Sequence, residues 1–212
     1  MPLFKSLSSK SIQEYKVAVW RISETEQELR NGLTLSENSI ERLSRLKSEG
    51  QRKSFLAVRQ LLRSYGISDE QLFYSESGKP FLRDGPAVSI SHTTAYAAIA
   101  LGFNVEVGVD IERHREQIFR IASRFSGEGA LSNVHSKQQH LEKLTALWGA
   151  KEAIYKIVDQ RGLSFKNDIL VDDFVLESHH SSARVGDRRF HFTFETFDRH
   201  TLVYGYQTKL LR

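Results

Sequence analysis

The segment 148–156 carries charged side chains whose spacing could support catalysis. Glu152 and Lys156 are four residues apart, and they continue a series of four-residue steps that begins at Leu144 and Trp148. Because a helix brings residues four apart to one face, the segment predicts a helix on which an acid and a base emerge beside two large apolar side chains. Taken alone, this pattern is typical of an exposed ion pair on an amphipathic helix.

A second acidic pair lies upstream, at the end of a stretch rich in Val and Ile. Asp110 and Glu112 are two residues apart, so in a strand their carboxylates point to the same side. Like charges held together repel each other unless a cation lies between them, and Mg²⁺ prefers oxygen ligands. The pair is therefore half of a candidate magnesium site. The alternative is an acidic strand end that runs into the turn Arg113-His114-Arg115 without any ligand.

A third candidate is the polar segment around His92. The residues 88–91 and 95–101 predict two strands, and they place His92 at a strand end among Ser and Thr hydroxyls. A His in this position usually has a structural role unless other polar groups converge on it. Further upstream, Lys79 precedes Pro80, which favours an extended backbone at Lys79 and a fixed presentation of its side chain.

The elements that must position these residues alternate between helices and strands. Helices are predicted by apolar spacing and capping signals over a short segment after Ser23 and Glu26, over two segments within 37–65 that break near Gly50 and end at Gly66, and over 117–125 and 140–158. Strands are predicted over 15–22, 71–75, 88–91, 95–101, 105–111, 169–176, 183–185, 190–197 and 201–208. The residues 126–139 predict a loop, because they are rich in Gly, Ser and Asn.

The composition is that of an ordinary folded protein. Of 212 residues, 40% are hydrophobic and 26% charged, and a net charge of +4 favours anionic partners without requiring a nucleic acid. Cys is absent, which excludes disulfides, thiolate metal sites and Cys nucleophiles. The N-terminus lacks an apolar leader, and no apolar run reaches the length of a membrane span. We therefore expect a cytoplasmic protein with no membrane partner.

The motifs gain specificity when they are taken together. The run Gly108-Val109-Asp110-Ile111-Glu112 is followed, after a helix and a loop, by Trp148, Lys151, Glu152, Ala153 and Lys156. In this order the chain resembles the 4′-phosphopantetheinyl transferase superfamily, and within it the larger type that forms a pseudo-dimer in one chain. The supporting matches within 50–175 are Arg59, Gly78-Lys79-Pro80, Ser89-Ile90-Ser91-His92 and Gly162-Leu163-Ser164-Phe165.

The resemblance implies an α+β fold made of two related subdomains. The first would span residues 1–102 and the second 103–212, each with a helix packed on an antiparallel sheet. Together they would form one pseudo-twofold unit, with coenzyme A in the cleft between the halves. We expect the chain to be a monomer.

The resemblance also implies an enzyme. Such enzymes move the phosphopantetheine arm of coenzyme A onto a Ser hydroxyl of an acyl or peptidyl carrier protein and release adenosine 3′,5′-bisphosphate. By this resemblance Asp110, Glu112 and Glu152 would hold Mg²⁺ against the pyrophosphate. Glu152 would also be the general base for the carrier Ser, and Lys156 would neutralise charge on the leaving group.

Contact with coenzyme A is the role that the resemblance implies for eight residues. They are Arg59, Lys79, Pro80, Ser91, His92, Asp110, Lys151 and Lys156. Among them, Arg59 and His92 would contact phosphates, above all the 3′-phosphate, and Lys151 would contact the pyrophosphate. Lys79 and Pro80 would lie along the adenine.

Two features depart from the usual pattern of the family. Thr93 stands where a Ser usually follows the His, and this change keeps a hydroxyl. In the loop after Phe125, where many relatives carry several acids, Glu128 stands alone, so we do not assign it to the metal. Carrier docking is often attributed to this loop, which leaves the choice of carrier open. Trp148 is interpreted as a core residue that orients its helix.

Two other functions compete with transfer. One is a non-catalytic module of the same fold that binds coenzyme A or a carrier protein, but the presence of all three carboxylates and both lysines argues against it. The other is an RNA-binding domain, suggested by a pI of about 9.3 and by the basic residues within 52–63. That function needs exposed aromatic side chains among the basic ones, and Phe55 has the spacing of a core residue. We therefore expect no nucleic-acid partner.

Overall fold

The computed structural model of this chain describes residues 3–9, 14–127 and 133–208, so Glu128 lies outside the described residues. Its contacts divide the chain into two compact units, Met1–Asn104 and Val105–Arg212, whereas the sequence placed the boundary at Gly102. Both units combine helices with antiparallel sheet, which confirms the predicted mixture of the two. The relation of the units as two copies of one pseudo-dimeric motif stays a prediction.

The first unit is built on a four-stranded antiparallel sheet. Its elements in chain order are β1 (Leu3–Ser9), β2 (Tyr15–Arg21), α1 (Glu26–Arg30), α2 (Glu37–Arg45), α3 (Glu49–Ser64), β3 (Leu72–Tyr74), β4 (Pro80–Leu82), β5 (Ala87–His92) and β6 (Tyr96–Gly102). The sheet order is β1-β2-β6-β5, and β3 pairs with β4 in a separate hairpin. Helix α3 packs on β2 and β6, and its residues Leu56, Val58 and Leu61 are buried in the core of this unit.

Side-chain caps set the ends of these helices and explain where the sequence misplaced them. The capping box of α1 is formed by Thr25 and Glu28, two residues later than the predicted pair. Ser48 caps α3, so Gly50 lies inside the first turn of this helix and does not break it. Gly66, with φ of +75°, follows the end of α3 as predicted. The short strand β4 was not predicted, because its three residues carry no periodic signal.

The second unit has a five-stranded antiparallel sheet and one long helix. Its elements are β7 (Val107–Arg113), α4 (Ile118–Ile121), α5 (Lys137–Val158), β8 (Leu170–Val171), β9 (His180–Val185), β10 (Arg188–Phe197) and β11 (His200–Gln207). The sheet order is β7-β11-β10-β9-β8. Helix α5 covers β7, β11 and β10, and the alternating residues Phe190, Phe192 and Phe194 are buried as their spacing predicts.

Helix α5 is longer than the sequence indicated. Ser136 caps it, so it begins at Lys137 within the segment that was predicted to be a loop. It ends at Val158, where Asp159 adopts a left-handed conformation with φ of 48°. The strand predicted over 169–176 is reduced to Leu170–Val171. No helix in the described part of the chain is both long and apolar enough to cross a membrane.

Candidate active site

Strand β7 and helix α5 approach each other closely because two glycines remove side chains from their contacts. A Cβ atom on Gly108 would lie 2.0 Å from the carbonyl oxygen of Ala153. One on Gly149 would lie 2.7 Å from Cγ2 of Val203 on β11. A larger residue at either position therefore forces the helix away from the sheet. The close packing sets the acidic end of β7 beside the part of α5 that carries Glu152.

Asp110 and Lys156 form the ion pair at the centre of the site. The side chain of Asp110 is only 6% exposed, and Lys156 Nζ lies 2.8 Å from its Oδ1. Lys156 also donates a hydrogen bond to the backbone carbonyl of Val109, at 2.8 Å. Two oxygens of β7 thus hold the ammonium beside a carboxylate that the resemblance assigned to the metal.

Glu112 lies one step further along the same face of β7. The indole Nε1 of Trp148 donates a hydrogen bond to its Oε1, at 3.3 Å. Burial and the negative charge of Asp110 raise the pKa of Glu112 to about 7, and Glu152 adds to the rise, whereas the Trp148 hydrogen bond and the charge of Lys156 act against it. The carboxyl group of Glu112 therefore titrates near neutral pH.

Glu152 belongs to the same electrostatic cluster. Burial raises its pKa above the ordinary value, the charge of Asp110 raises it further, and Lys156 lowers it. A carboxylate with a raised pKa accepts a proton more readily, which suits a general base. The structure thus brings Asp110, Glu112, Glu152 and Lys156 together, although they come from a strand and a helix far apart in the sequence.

The chemistry of these donors suits a divalent cation. Mg²⁺ prefers carboxylate oxygens, and its charge would offset the burial and the mutual repulsion that raise the pKa values of Glu112 and Glu152. Within residues 3–9, 14–127 and 133–208, however, no group of three or more His, Cys, Asp or Glu side chains is arranged to hold a metal ion. One carboxylate oxygen of Asp110 already accepts a hydrogen bond from Lys156, and one of Glu112 accepts a hydrogen bond from Trp148. These contacts would have to rearrange for an ion to bind.

Lys151 does not join this cluster. Its Nζ donates hydrogen bonds to the carbonyl oxygens of Phe165 and Ile169, and the residue is only 4% exposed. Burial lowers the pKa of Lys151 to about 8. Contact of Lys151 with a pyrophosphate stays a prediction, and it would require the ammonium to leave the two carbonyls by which it ties the segment 165–169 to α5.

Arg59 is likewise committed to the interior of its own unit. Its Nε lies 3.0 Å from Oδ1 of Asp69, a terminal nitrogen donates to Ser39 Oγ at 3.2 Å, and the guanidinium stacks on the ring of Phe55 at 3.5 Å. The side chain is 3% exposed. Contact of Arg59 with a phosphate stays a prediction, and it would require the phosphate to displace a buried carboxylate.

The other expected coenzyme contacts of the first unit lie on two elements. The backbone N–H of Lys79 donates to Ser75 Oγ at 3.1 Å in the turn before β4, and Pro80 is the first residue of that strand. Ser91 and His92 are the last residues of β5, where Ser91 is partly buried and His92 exposed. Their contact with coenzyme A stays a prediction.

Two groups beside the site were not recognised from the sequence as polar contacts. Trp148 packs between Phe125 and Phe165, with ring centroids 5.1 and 5.3 Å away, and its N–H orients Glu112. His114 is 3% exposed, and its Nε2 lies 2.8 Å from Oγ1 of Thr201. The alternation that places residues 110 and 112 on one face extends to residue 114, and this signal could have identified His114.

Comparison with known proteins finds a superfamily to which the second unit is similar. Residues 106–206, nearly the whole second unit, match the family model of the 4′-phosphopantetheinyl transferase superfamily. The matched segment is just under half of the chain, and the match confirms the resemblance that the motifs indicated.

Two individual proteins are similar to the chain. One is the 4′-phosphopantetheinyl transferase gsp of Aneurinibacillus migulanus, 31% identical over 107 residues, which are 49% of this chain and 45% of the relative. The other is the 4′-phosphopantetheinyl transferase HetI of Nostoc sp. (strain PCC 7120), 29% identical over 160 residues, which are 66% of this chain and 68% of the relative. The alignment thus spans less than half the length of the first relative.

Proposed function

We propose that this chain transfers the 4′-phosphopantetheine arm of coenzyme A to a Ser hydroxyl of an acyl or peptidyl carrier protein and releases adenosine 3′,5′-bisphosphate. The observation that carries the proposal is the cluster of Asp110, Glu112, Glu152 and Lys156 inside the segment that matches the superfamily. The names of both relatives support the same class of reaction.

The proposed reaction makes two demands on the protein. The Ser oxygen forms a bond to the phosphorus that carries the pantetheine arm, and the bond from this phosphorus to the bridging oxygen of the pyrophosphate breaks. The hydroxyl loses a proton, and negative charge develops on the departing bisphosphate. The protein must accept the proton and stabilise the charge, because phosphoryl transfer depends above all on positioning and electrostatics.

Glu152 and Lys156 meet these demands. Glu152 accepts the proton of the carrier Ser, and its raised pKa makes it a better base than an ordinary carboxylate. Lys156 supplies a positive charge to the leaving group, and its position on Asp110 keeps the ammonium in the site before substrate arrives. Release of this contact would free the ammonium for a phosphate oxygen.

Asp110, Glu112 and Glu152 would hold Mg²⁺, which when bound neutralises charge on the pyrophosphate. In the first unit, the resemblance supports coenzyme contacts for Lys79, Pro80, Ser91 and His92. Arg59 and Lys151 are left out of the proposed site because their charges are used within the scaffold.

Mass spectrometry of carrier proteins tests the proposal directly. Incubation of the purified chain with coenzyme A, Mg²⁺ and a panel of apo carrier proteins should add the mass of the phosphopantetheine arm to at least one carrier. Glu152→Gln should abolish this addition. Glu177→Gln, the same change at an exposed position outside the cluster, should leave it intact. The absence of any addition by the folded wild-type protein across the panel would count against transfer.

One alternative is favoured by a specific observation. The described acids are not arranged around a metal position, and Lys156 already neutralises Asp110. A non-catalytic module that binds coenzyme A or a carrier protein would have these properties. Calorimetry separates the two functions: coenzyme A binding that is independent of Mg²⁺, together with no transfer, would establish the alternative.

A further inference from the structure

Two arginines lie opposite each other on the second unit, on the face of its sheet that points away from α5. Arg184 of β9 and Arg189 of β10 are paired directly across the two strands, and both are exposed. Their neighbours Ala183 and Phe190 are buried in the core that includes α5, so alternation turns the arginines outward. The register of the sheet places Asp110 on the other face, with Phe190.

The backbone brings these two arginines close together. The two-residue turn of Gly186 and Asp187 joins β9 to β10. The backbone N–H of Thr208 donates to the carbonyl of Arg189 at 2.9 Å, so the peptide groups of Arg189 face β11 and not β9. Arg184 and Arg189 therefore form a pair of the non-hydrogen-bonded kind, in which the Cα atoms are only about 4.5 Å apart.

The charges of this pair are not neutralised by the protein. Like charges directly opposite each other in a sheet destabilise it. Within the part of the chain that the structure describes, neither guanidinium forms a hydrogen bond or an ion pair, and Asp187 in the adjoining turn is not paired with either. An oxyanion held by both groups would remove the repulsion, because guanidinium forks match the geometry of phosphate oxygens. The pair is thus half of an anion site.

An open groove adjoins the pair on the same face of the sheet. His191 and Ser182 are the next outward residues of β10 and β9, about 7 Å along the strands from the arginines. They line the groove together with His180 and the exposed Asp172, and it encloses about 560 Å³. This volume suits a small metabolite. The carboxylate of Asp172 can accept hydrogen bonds from hydroxyl or amino groups of such a ligand.

We propose that Arg184 and Arg189 bind the phosphate of a small phosphomonoester whose amino or hydroxyl groups lie in the groove beside Asp172. This site goes beyond the proposed function and does not depend on it. A compact dianion fits two adjacent guanidinium groups. A broad anionic surface fits less well, because Asp187 and Asp172 lie on either side of the pair and would repel it.

Thermal unfolding of the full chain tests the arginine pair. Sodium phosphate at about 10 mM, compared with sodium chloride of equal ionic strength, should raise the melting temperature of the wild type by about 3 °C. Arg184→Gln/Arg189→Gln should lose this rise. The matched control Arg30→Gln/Arg124→Gln removes the same charge from two exposed arginines on separate elements, and it should keep the rise.

The repulsion within the pair provides a second, independent measurement. Arg184→Glu places an acid opposite Arg189, so without phosphate this variant should melt at a higher temperature than the wild type. Phosphate should then raise its melting temperature no further. A wild type and an Arg184→Glu variant of equal stability, both with the same response to phosphate, would overturn the site.

NMR titration of the arginine Nε signals identifies the ligand class. Phosphoethanolamine, which adds an ammonium group for Asp172, should bind at least about threefold more tightly than inorganic phosphate. Asp172→Asn should remove this gain. Saturable shifts confined to the signals of Arg184 and Arg189, assigned from the variants, would uphold the site.

Three further outcomes would overturn it. One is an equal rise of melting temperature in the wild type, the pair variant and the control, which would show a nonspecific effect of salt. Another is the absence of any rise in the wild type. The third is tighter binding of anionic vesicles or of a single-stranded oligonucleotide than of either probe, which would make this face a macromolecular interface. None of these measurements involves coenzyme A or a carrier, so failure of the proposed function leaves them unaffected.

Discussion

Lys156 Nζ lies 2.8 Å from Oδ1 of Asp110, and this contact joins helix α5 to strand β7 at the centre of the candidate site. The lysine side chain is 27% exposed, whereas the carboxylate it neutralises is 6% exposed. The ammonium therefore stabilises a buried charge while remaining accessible from solvent. Under the proposed function, Lys156 would neutralise Asp110 before substrate binds and a phosphate oxygen during the reaction.

Removal of this ammonium should affect both stability and activity. Lys156→Met should lower the free energy of unfolding by about 2 kcal/mol, because Asp110 is then buried without its cation. It should also abolish phosphopantetheine transfer. The double variant Asp110→Asn/Lys156→Met should regain most of the stability and stay inactive. Urea unfolding and the carrier mass assay measure the two effects, and a single variant as stable as wild type would contradict the role of the pair.

The carboxyl group of Glu112 should make stability depend on pH. Its folded-state pKa is about 7, raised from 4.5, so between these values the folded protein keeps a proton that the unfolded chain has lost. The free energy of unfolding should therefore fall as pH rises from about 4.5 to about 7. We expect Glu112 to contribute about 1–2 kcal/mol to this fall after solvent screening.

Glu112→Gln tests this titration, because the amide has no proton to lose. Urea unfolding near pH 5 and near pH 8 should show a smaller difference for Glu112→Gln than for the wild type. The exposed control Glu177→Gln should keep the wild-type difference. Glu152 titrates in the same direction, so part of the fall should remain in the single variant. An unchanged pH dependence would show that Glu112 is ionised normally.

Mg²⁺ should stabilise the folded protein independently of any reaction. At about pH 8, where the acids repel each other most, addition of Mg²⁺ should raise the melting temperature by a few degrees. Asp110→Asn should lose this response, because it removes one proposed ligand, and Glu177→Gln should keep it. Equal responses of all three proteins would indicate a nonspecific ion effect and remove the metal assignment.

Lys151 should behave as a scaffold residue. Lys151→Met keeps the apolar stem but leaves the carbonyl oxygens of Phe165 and Ile169 without their donor, so it should destabilise the fold by about 2 kcal/mol. The KM for coenzyme A should stay close to wild type. Lys166→Met, at an exposed lysine of the same segment, is the matched control and should change neither quantity. A raised KM with unchanged stability would return Lys151 to the coenzyme site.

Local spacing predicted the elements of the fold wherever periodicity was strong. The alternation over 190–197 and the four-residue steps of α5 gave the right element type, because they follow from the geometry of a single strand or helix. The predicted starts of α1 and α5 were misplaced, since the actual caps Thr25 and Ser136 have similar polar residues nearby in the sequence. The short strand β4 depends on pairing with β3 and carries no signal of its own.

The sequence by itself determined the order of the motifs and which charged side chains share a face of one element. Asp110 and Glu112 share a strand face because they are two residues apart, and Glu152 and Lys156 share a helix face because they are four apart. It did not determine which groups each lysine ammonium contacts. Lys151 and Lys156 have the same chemistry, yet one ammonium meets backbone carbonyls and the other a buried carboxylate. These destinations depend on partners distant in sequence, which only the tertiary structure brings within reach.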